Sequence, residues 1–123
     1  MDESEVLFGI YCPPHPQPLL SPDASPGYAK LREAFETCRE RIEQSDADLI
    51  IVYSTTWPSI IGHQIQAHPE PEWTHVDDDF HYLGSMPYKF RMDVDFAECL
   101  RDSAKDRGLH SRTIAYEGFP IDT

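Results

Sequence analysis

Two short apolar runs on either side of an amphipathic helix constrain the fold of this chain more than any other feature. Val6–Tyr11 and Leu49–Tyr53 are rich in aliphatic and aromatic residues, which is typical of strands covered on both faces. Between them, Ser25 and Pro26 form a helix start, with serine at the cap and proline in the first turn. The helix carries an apolar stripe at helical spacing, formed by Tyr28, Leu31, Phe35, Cys38 and Ile42. This order predicts a βαβ unit, in which a right-handed crossover joins two parallel strands.

The second half of the chain predicts one more strand of the same sheet. Asp93 is a helix cap and Gly108 is suited to end that helix, after which Thr113–Tyr116 predicts a third parallel strand. The intervening residues 54–91 hold both tryptophans and four of the six histidines, and predict a long functional loop. The predicted fold class is therefore α/β, a parallel sheet with βαβ crossovers.

This predicted sheet is not a complete domain. Three parallel strands with two helices leave one edge and one face of the sheet open, which is unfavourable. We therefore expect the fold to be incomplete on its own. Another polypeptide, or a missing C-terminal half of the same gene product, is expected to complete it.

Charge and composition exclude several classes of partner. The formal net charge of −12 argues against nucleic acid and against anionic membranes, because phosphate groups would be repelled. The acidic start Met1–Glu5 is unlike the basic start of a signal peptide. The three cysteines show no CxxC spacing and are expected to be reduced thiols. These features predict a cytoplasmic location.

His15 is the first candidate functional residue. It follows the first apolar run in the segment Tyr11–Pro16, where Pro13, Pro14 and Pro16 prevent a helix and produce a stiff loop. Ligands of open α/β sheets bind at the C-terminal ends of the strands, where this loop is expected to lie. A rigidly held imidazole there suits a metal ligand or a general base; the alternative is an ordinary surface histidine.

The predicted loop 54–91 supplies further possible metal ligands. His63, His75 and His81 are candidates, and for each the alternative is an ordinary loop residue. The acidic run Asp77–Asp79 offers oxygen ligands for a hard cation, but such runs are commonly solvated turns. Sequence alone leaves these alternatives open.

Several separated motifs, taken in order, resemble the class III extradiol ring-cleavage dioxygenases. The first is an apolar strand followed by Pro-His-Pro, with Leu19 and Leu20. The others are Ala47–Pro58, then Asp79-Phe80 with a downstream Gly84, and last Gly118–Thr123. The resemblance covers nearly all of the chain and implies that residues 1–123 are the N-terminal part of a single dioxygenase-like domain.

The resemblance implies a non-haem Fe(II) site held by two histidines and a further ligand from the C-terminal half of the domain. His15 matches the first histidine. Thr56 stands where the second is implied, and Asp122-Thr123 stands where the family commonly shows Asp-His-Gly. A threonine hydroxyl is a poor Fe(II) ligand beside imidazole, so we expect either no metal or an Fe(II) site rebuilt with loop histidines.

Three functions follow as alternatives. The first is part or a subunit of a diverged enzyme acting on a small molecule, with His15, Thr56 and Asp122 as catalytic residues. The second is a non-catalytic, dioxygenase-like subunit that scaffolds an active partner chain. In the third, the chain is the first product of a cleavage after Thr123, and the second product carries an N-terminal nucleophile. All three need a second polypeptide, and the first needs a small-molecule substrate.

Overall fold

The computed structural model describes residues 4–54, 59 and 61–118, and these divide into two compact units. The first unit extends to Tyr53 and is helical. It contains a short helix α1 (Gln17–Leu20), a 3₁₀ turn (Pro22–Ala24) and a long helix α2 (Pro26–Glu43). The second unit begins at Ser54 and contains all four strands of the described residues together with the helix α3 (Val94–Asp106).

Helix α2 begins as the sequence predicts. The Ser25 side chain accepts a hydrogen bond from the Tyr28 backbone amide at 3.2 Å, and Pro26 occupies the first turn. All five residues of the predicted apolar stripe are half-buried. The stripe does not face a sheet within its own unit, because the described residues of this unit contain no strand.

The two predicted strands that flank α2 are not formed, and the predicted βαβ unit around α2 is wrong. Neither Val6–Tyr11 nor Leu49–Tyr53 is paired in a sheet of the described structure, and Val6, Tyr11 and Val52 are 88%, 96% and 80% exposed. A strand exists only where a neighbour supplies the ladder of hydrogen bonds, and apolar composition cannot supply that neighbour. The first run instead contacts α2 through Phe8, whose ring centre lies 4.7 Å from the Arg41 guanidinium carbon.

The parallel sheet lies in the second unit and uses different strands. The strand β1 (His63–Gln66) pairs in parallel with β4 (Ser111–Ile114), with His63 opposite Ser111. The predicted parallel strand Thr113–Tyr116 is thus confirmed in part: it begins earlier, at Ser111, and ends earlier, at Ile114. The α/β class is confirmed at this level, since α3 lies in the connection between two adjacent parallel strands.

Residues 54–91, predicted as a loop, contain three short strands. Besides β1 they include β2 (Glu72–His75) and β3 (Met86–Lys89), which form an antiparallel hairpin. Pro69 and Pro71, which the sequence suggests are breakers, extend the hairpin through their carbonyl groups. These carbonyls accept hydrogen bonds from the amides of Met92 at 2.8 Å and Phe90 at 3.0 Å. Proline lacks a donor but keeps its acceptor, so it is tolerated beside an edge strand.

Few apolar residues are buried in the described structure. Ala67, Tyr88 and Ala97 are the buried residues of the hydrophobic core, and Pro16, Pro18 and Pro71 are fully buried. No helix among the described residues has the length and apolar character needed to cross a bilayer.

Helix α3 depends on its cap. The Asp93 side chain accepts a hydrogen bond from the Phe96 amide at 2.9 Å, and Gly108 ends the segment with a φ of 80°. We expect Asp93→Ala to destabilise the protein by about 1 kcal/mol, because it leaves a helix-end amide without an acceptor. The free energy of unfolding checks this, measured by denaturant titration of this chain together with the polypeptide that completes it. Asp93→Asn keeps the acceptor and should match the unchanged protein; equal stability of the alanine variant would contradict the prediction.

Candidate functional site

His15 lies on an ordered turn just before α1. Its backbone amide donates to the Pro13 carbonyl at 3.1 Å, and its side chain is exposed. The next residue, Pro16, is fully buried, and its carbonyl accepts from the amides of Leu19 and Leu20 at 3.0 and 2.9 Å. The segment is therefore non-helical, as predicted, and its stiffness stays a prediction. The expected strand before it is absent, so His15 follows an unpaired extended run instead of a strand end.

Two of the three predicted catalytic residues, Thr56 and Asp122, lie outside the described residues. Their predicted closeness to His15 stays a prediction. What the structure does describe is the chain on the approach to Asp122, from the end of β4 to Gly118.

Several hydrogen bonds attach the chain that follows β4 to the rest of the second unit. The Ile114 carbonyl accepts from the Ala67 amide at 2.7 Å, and the Gln66 side-chain amide donates to the Tyr116 carbonyl at 2.9 Å. The Glu117 carbonyl then accepts from the amide of Glu72, the first residue of β2, at 3.1 Å. The residues after β4 are thus attached first to β1 and then to the hairpin.

The three loop histidines proposed as metal ligands occupy separate elements. His63 is exposed at the start of β1, and His75 is half-buried at the end of β2, opposite Met86. His81 is exposed in a 3₁₀ turn (His81–Leu83), edge-on to the ring of Tyr82 at 6.0 Å. Within the described ranges, no three histidine, cysteine, aspartate or glutamate side chains gather as a metal site would require. This donor set does not fit the two imidazoles and third ligand of a facial Fe(II) site.

The acidic run Asp77–Asp79 is explained by local structure. One carboxylate oxygen of Asp77 accepts from the backbone amides of Asp79 and Phe80, both at 2.9 Å. Aspartate commonly stabilises a turn in this way. The turn alternative for this run is therefore confirmed.

An ion-pair group that the sequence analysis did not single out joins α3 to β4. Arg101 pairs with Glu98 and Asp102 on its own helix, and its guanidinium also reaches the Thr113 hydroxyl of β4 at 3.4 Å. The hydrogen bond from Arg101 lowers the pKa of the Asp102 carboxyl below its usual value. Glu98 and Arg101 at helical spacing were the available signal. The group links the helix to the sheet through the hydrogen bond from Arg101 to Thr113.

The β2–β3 hairpin carries an open aromatic depression of about 550 Å³, also missed by the sequence analysis. Trp73 lies opposite Tyr88 across the two strands, and Tyr88 stacks on Phe90 with ring centres 5.1 Å apart. Glu72 and Lys89 form a cross-strand ion pair at 3.6 Å. The alternation of Glu-Trp-Thr-His and Met-Pro-Tyr-Lys was the signal that could have predicted these strands.

Comparison with known proteins gives two informative relatives. The chain is 32% identical over 118 residues to the alpha subunit of 2-aminophenol 1,6-dioxygenase from a Pseudomonas species, covering 96% of this chain and 43% of the relative. It is also 26% identical over 130 residues to the beta subunit of 2-aminophenol 1,6-dioxygenase from a Pseudomonas species, covering 99% of this chain and 42% of that subunit. The chain therefore spans less than half the length of these curated relatives.

No family model matches the chain. The two subunits nevertheless align with almost all of it, and this agrees with the resemblance drawn from its motifs. This homology relates the chain to subunits of the class III extradiol dioxygenase family.

Proposed function

We propose that this chain is part, or one subunit, of a diverged enzyme of the extradiol dioxygenase superfamily that acts on a small molecule. The homology to both subunits of 2-aminophenol 1,6-dioxygenase carries the proposal. In this proposal residues 1–123 are one portion of a single α/β domain, and a second polypeptide or a further portion of the protein completes it. The large exposure of the runs Val6–Tyr11 and Leu49–Tyr53 supports the need for such a partner.

The proposed cleft lies at the C-terminal ends of the parallel strands. Ligands of open α/β sheets bind there, and Asp122 follows the C-terminal end of β4 along the chain. The proposed catalytic residues are His15, as general base or ligand, together with Thr56 and Asp122. The proline-held turn of His15 supports this role, because a catalytic base needs a fixed backbone.

The proposed substrate class is a small aromatic molecule with adjacent hydroxyl or amino groups. The name of the relatives specifies 2-aminophenol as their substrate. A neutral imidazole accepts a phenolic proton, and a carboxylate accepts hydrogen bonds from an amino group. His15 and Asp122 therefore offer chemistry that suits this class.

A second candidate is the non-catalytic subunit that scaffolds an active partner. Thr56 favours it, because this residue stands where the family resemblance implies an imidazole ligand. The relatives favour it as well, since they are named as unlike alpha and beta subunits. In this case the partner carries the reaction and this chain completes the partner's structure.

Binding of 2-aminophenol separates the two candidates. The assembled protein, meaning this chain with the polypeptide that completes it, is titrated anaerobically by calorimetry. We expect His15→Ala to weaken binding at least about tenfold, the effect of losing one hydrogen bond to a charged or strongly polarised group. His110→Ala is the matched control, because His110 is exposed and is not a candidate site residue.

The outcomes differ for the two candidates. Weaker binding in His15→Ala but not in His110→Ala supports the enzyme proposal. Unchanged binding in both variants contradicts the role of His15. The scaffold candidate replaces the enzyme proposal under two conditions. The ligand must bind and react only through the partner, and the reaction must be lost when this chain is withheld.

A further inference from the structure

We infer that contact between Trp73 and Gly118 fixes the path of the chain where it leaves β4, and that both act as positioning residues for the stretch that carries Asp122. The contact itself is a property of the second unit. Its consequence for Asp122 rests on the proposed function. Hydrogen exchange tests the contact, and ligand binding tests the consequence for Asp122.

Gly118 lies directly against the indole of Trp73. A Cβ atom placed on Gly118 would lie 2.9 Å from Cγ of Trp73, and closer still to Cδ2 and Cε3. Carbon atoms in van der Waals contact lie about 3.5–4.0 Å apart, so any larger residue would displace the ring or the backbone. The backbone of Gly118 is not left-handed, unlike that of Gly62, Gly84 and Gly108. Space, not conformation, therefore requires glycine at this position.

Two hydrogen bonds next to this contact also hold the chain where it leaves β4. Glu72 precedes Trp73, and its amide donates to the carbonyl of Glu117, which precedes Gly118. The Gln66 side chain holds the Tyr116 carbonyl one residue earlier. The chain therefore reaches Gly118 with its two preceding carbonyls already bound, and Gly118 itself lies against the indole.

The packing of the hairpin around Trp73 supports this role. It lies across from Tyr88, which is buried and stacks on Phe90, so the hairpin beneath the indole is well supported. More than half of Trp73 remains exposed, at 58%. Burial in the core therefore does not account for an aromatic residue at this position, whereas contact with the departing chain does.

Hydrogen exchange at the Glu72 amide, measured on the assembled protein, tests the contact. We expect Gly118→Ala to speed this exchange about fivefold, the factor that corresponds to one lost backbone hydrogen bond, while exchange in α3 stays unchanged. Gly9→Ala is the matched control, because a Cβ at Gly9 meets no atom within 4 Å and its backbone is not left-handed. Trp73→Ala should give a similar increase without adding a clash.

A double variant identifies the indole as the cause. In a Trp73→Ala background the added methyl group of Gly118→Ala no longer meets a ring, so it should have no further effect on exchange. Unchanged Glu72 exchange in both single variants would overturn the contact as an anchor. Purely additive effects in the double variant would overturn the indole as the group that Gly118 accommodates.

Binding of 2-aminophenol to the same variants tests positioning. Faster exchange together with weaker binding supports the inference. Faster exchange with unchanged binding overturns the positioning role and leaves a structural contact. Failure of the unchanged assembled protein to bind 2-aminophenol would overturn the proposed substrate class and the role of Asp122, while the exchange result would still decide whether the anchor exists.

Discussion

Residues 1–123 expressed alone are expected to lack a cooperative thermal transition. The described core contains only Ala67, Tyr88 and Ala97 as buried hydrophobic residues, whereas the runs Val6–Tyr11 and Leu49–Tyr53 expose large aliphatic and aromatic side chains. Folding must overcome the conformational entropy of the chain by burying apolar surface, and small domains have little margin. The helices are stabilised by local caps and should persist. The expected state is therefore helical by far-ultraviolet circular dichroism but without fixed tertiary packing.

Calorimetry and dye binding check this expectation. The isolated chain should bind a hydrophobic dye and unfold gradually, and the assembled protein should do neither. The assembled protein is the control because it contains the same sequence with its exposed runs covered. A sharp, reversible transition of the monomeric isolated chain would contradict the prediction.

Helices α2 and α3 were predictable because their signals are local, whereas the short helix α1 was not predicted. Ser25 and Asp93 each accept a hydrogen bond from an amide three residues later, and Gly108 adopts the left-handed backbone that ends a helix segment. These interactions join residues within one or two turns, so the sequence alone contains both partners. The start of α2 and both ends of α3 accordingly agree with the caps read from the sequence.

The strands were less predictable because their partners are distant in sequence. Leu49–Tyr53 has the composition of a buried strand, yet it is unpaired, while the polar segment His63–Gln66 pairs with Ser111–Ile114. The sequence does not predict the hairpin, because Pro69 and Pro71 indicate breaks in regular structure. Their carbonyl groups nevertheless accept hydrogen bonds from Phe90 and Met92, which follow β3.

For the same reason, the sequence predicts some parts of the candidate site better than others. The non-helical turn around His15 follows from the adjacent prolines and is found. Bringing His15 together with Thr56 and Asp122 depends on long-range pairing of strands, and that part stays a prediction. The contact of Trp73 with Gly118 also joins distant residues, and no local pattern could have shown it.

The second prediction with a large expected effect concerns the iron content of the assembled protein. Thr56 and Thr123 stand where the family resemblance implies imidazoles, and a single matched histidine, His15, binds Fe(II) weakly. His63, His75 and His81 lie on separate elements and do not gather into a group of three possible ligands within the described residues. We therefore expect the assembled protein to hold well below one iron per copy of this chain, and to show no oxygen uptake with catechol.

Elemental analysis with matched variants decides the iron prediction. Replacing His63, His75 or His81 singly by alanine should leave the iron content unchanged, and His110→Ala serves as the control for losing an exposed histidine. About one iron per copy, lost on replacing one of the three loop histidines, would show that the chain rebuilds the site by another route. Iron that stays with the partner polypeptide after this chain is removed would contradict the prediction for the assembled protein and favour the scaffold candidate. A site needs several ligands in a fixed geometry, and this chain offers only one at the positions that its family implies.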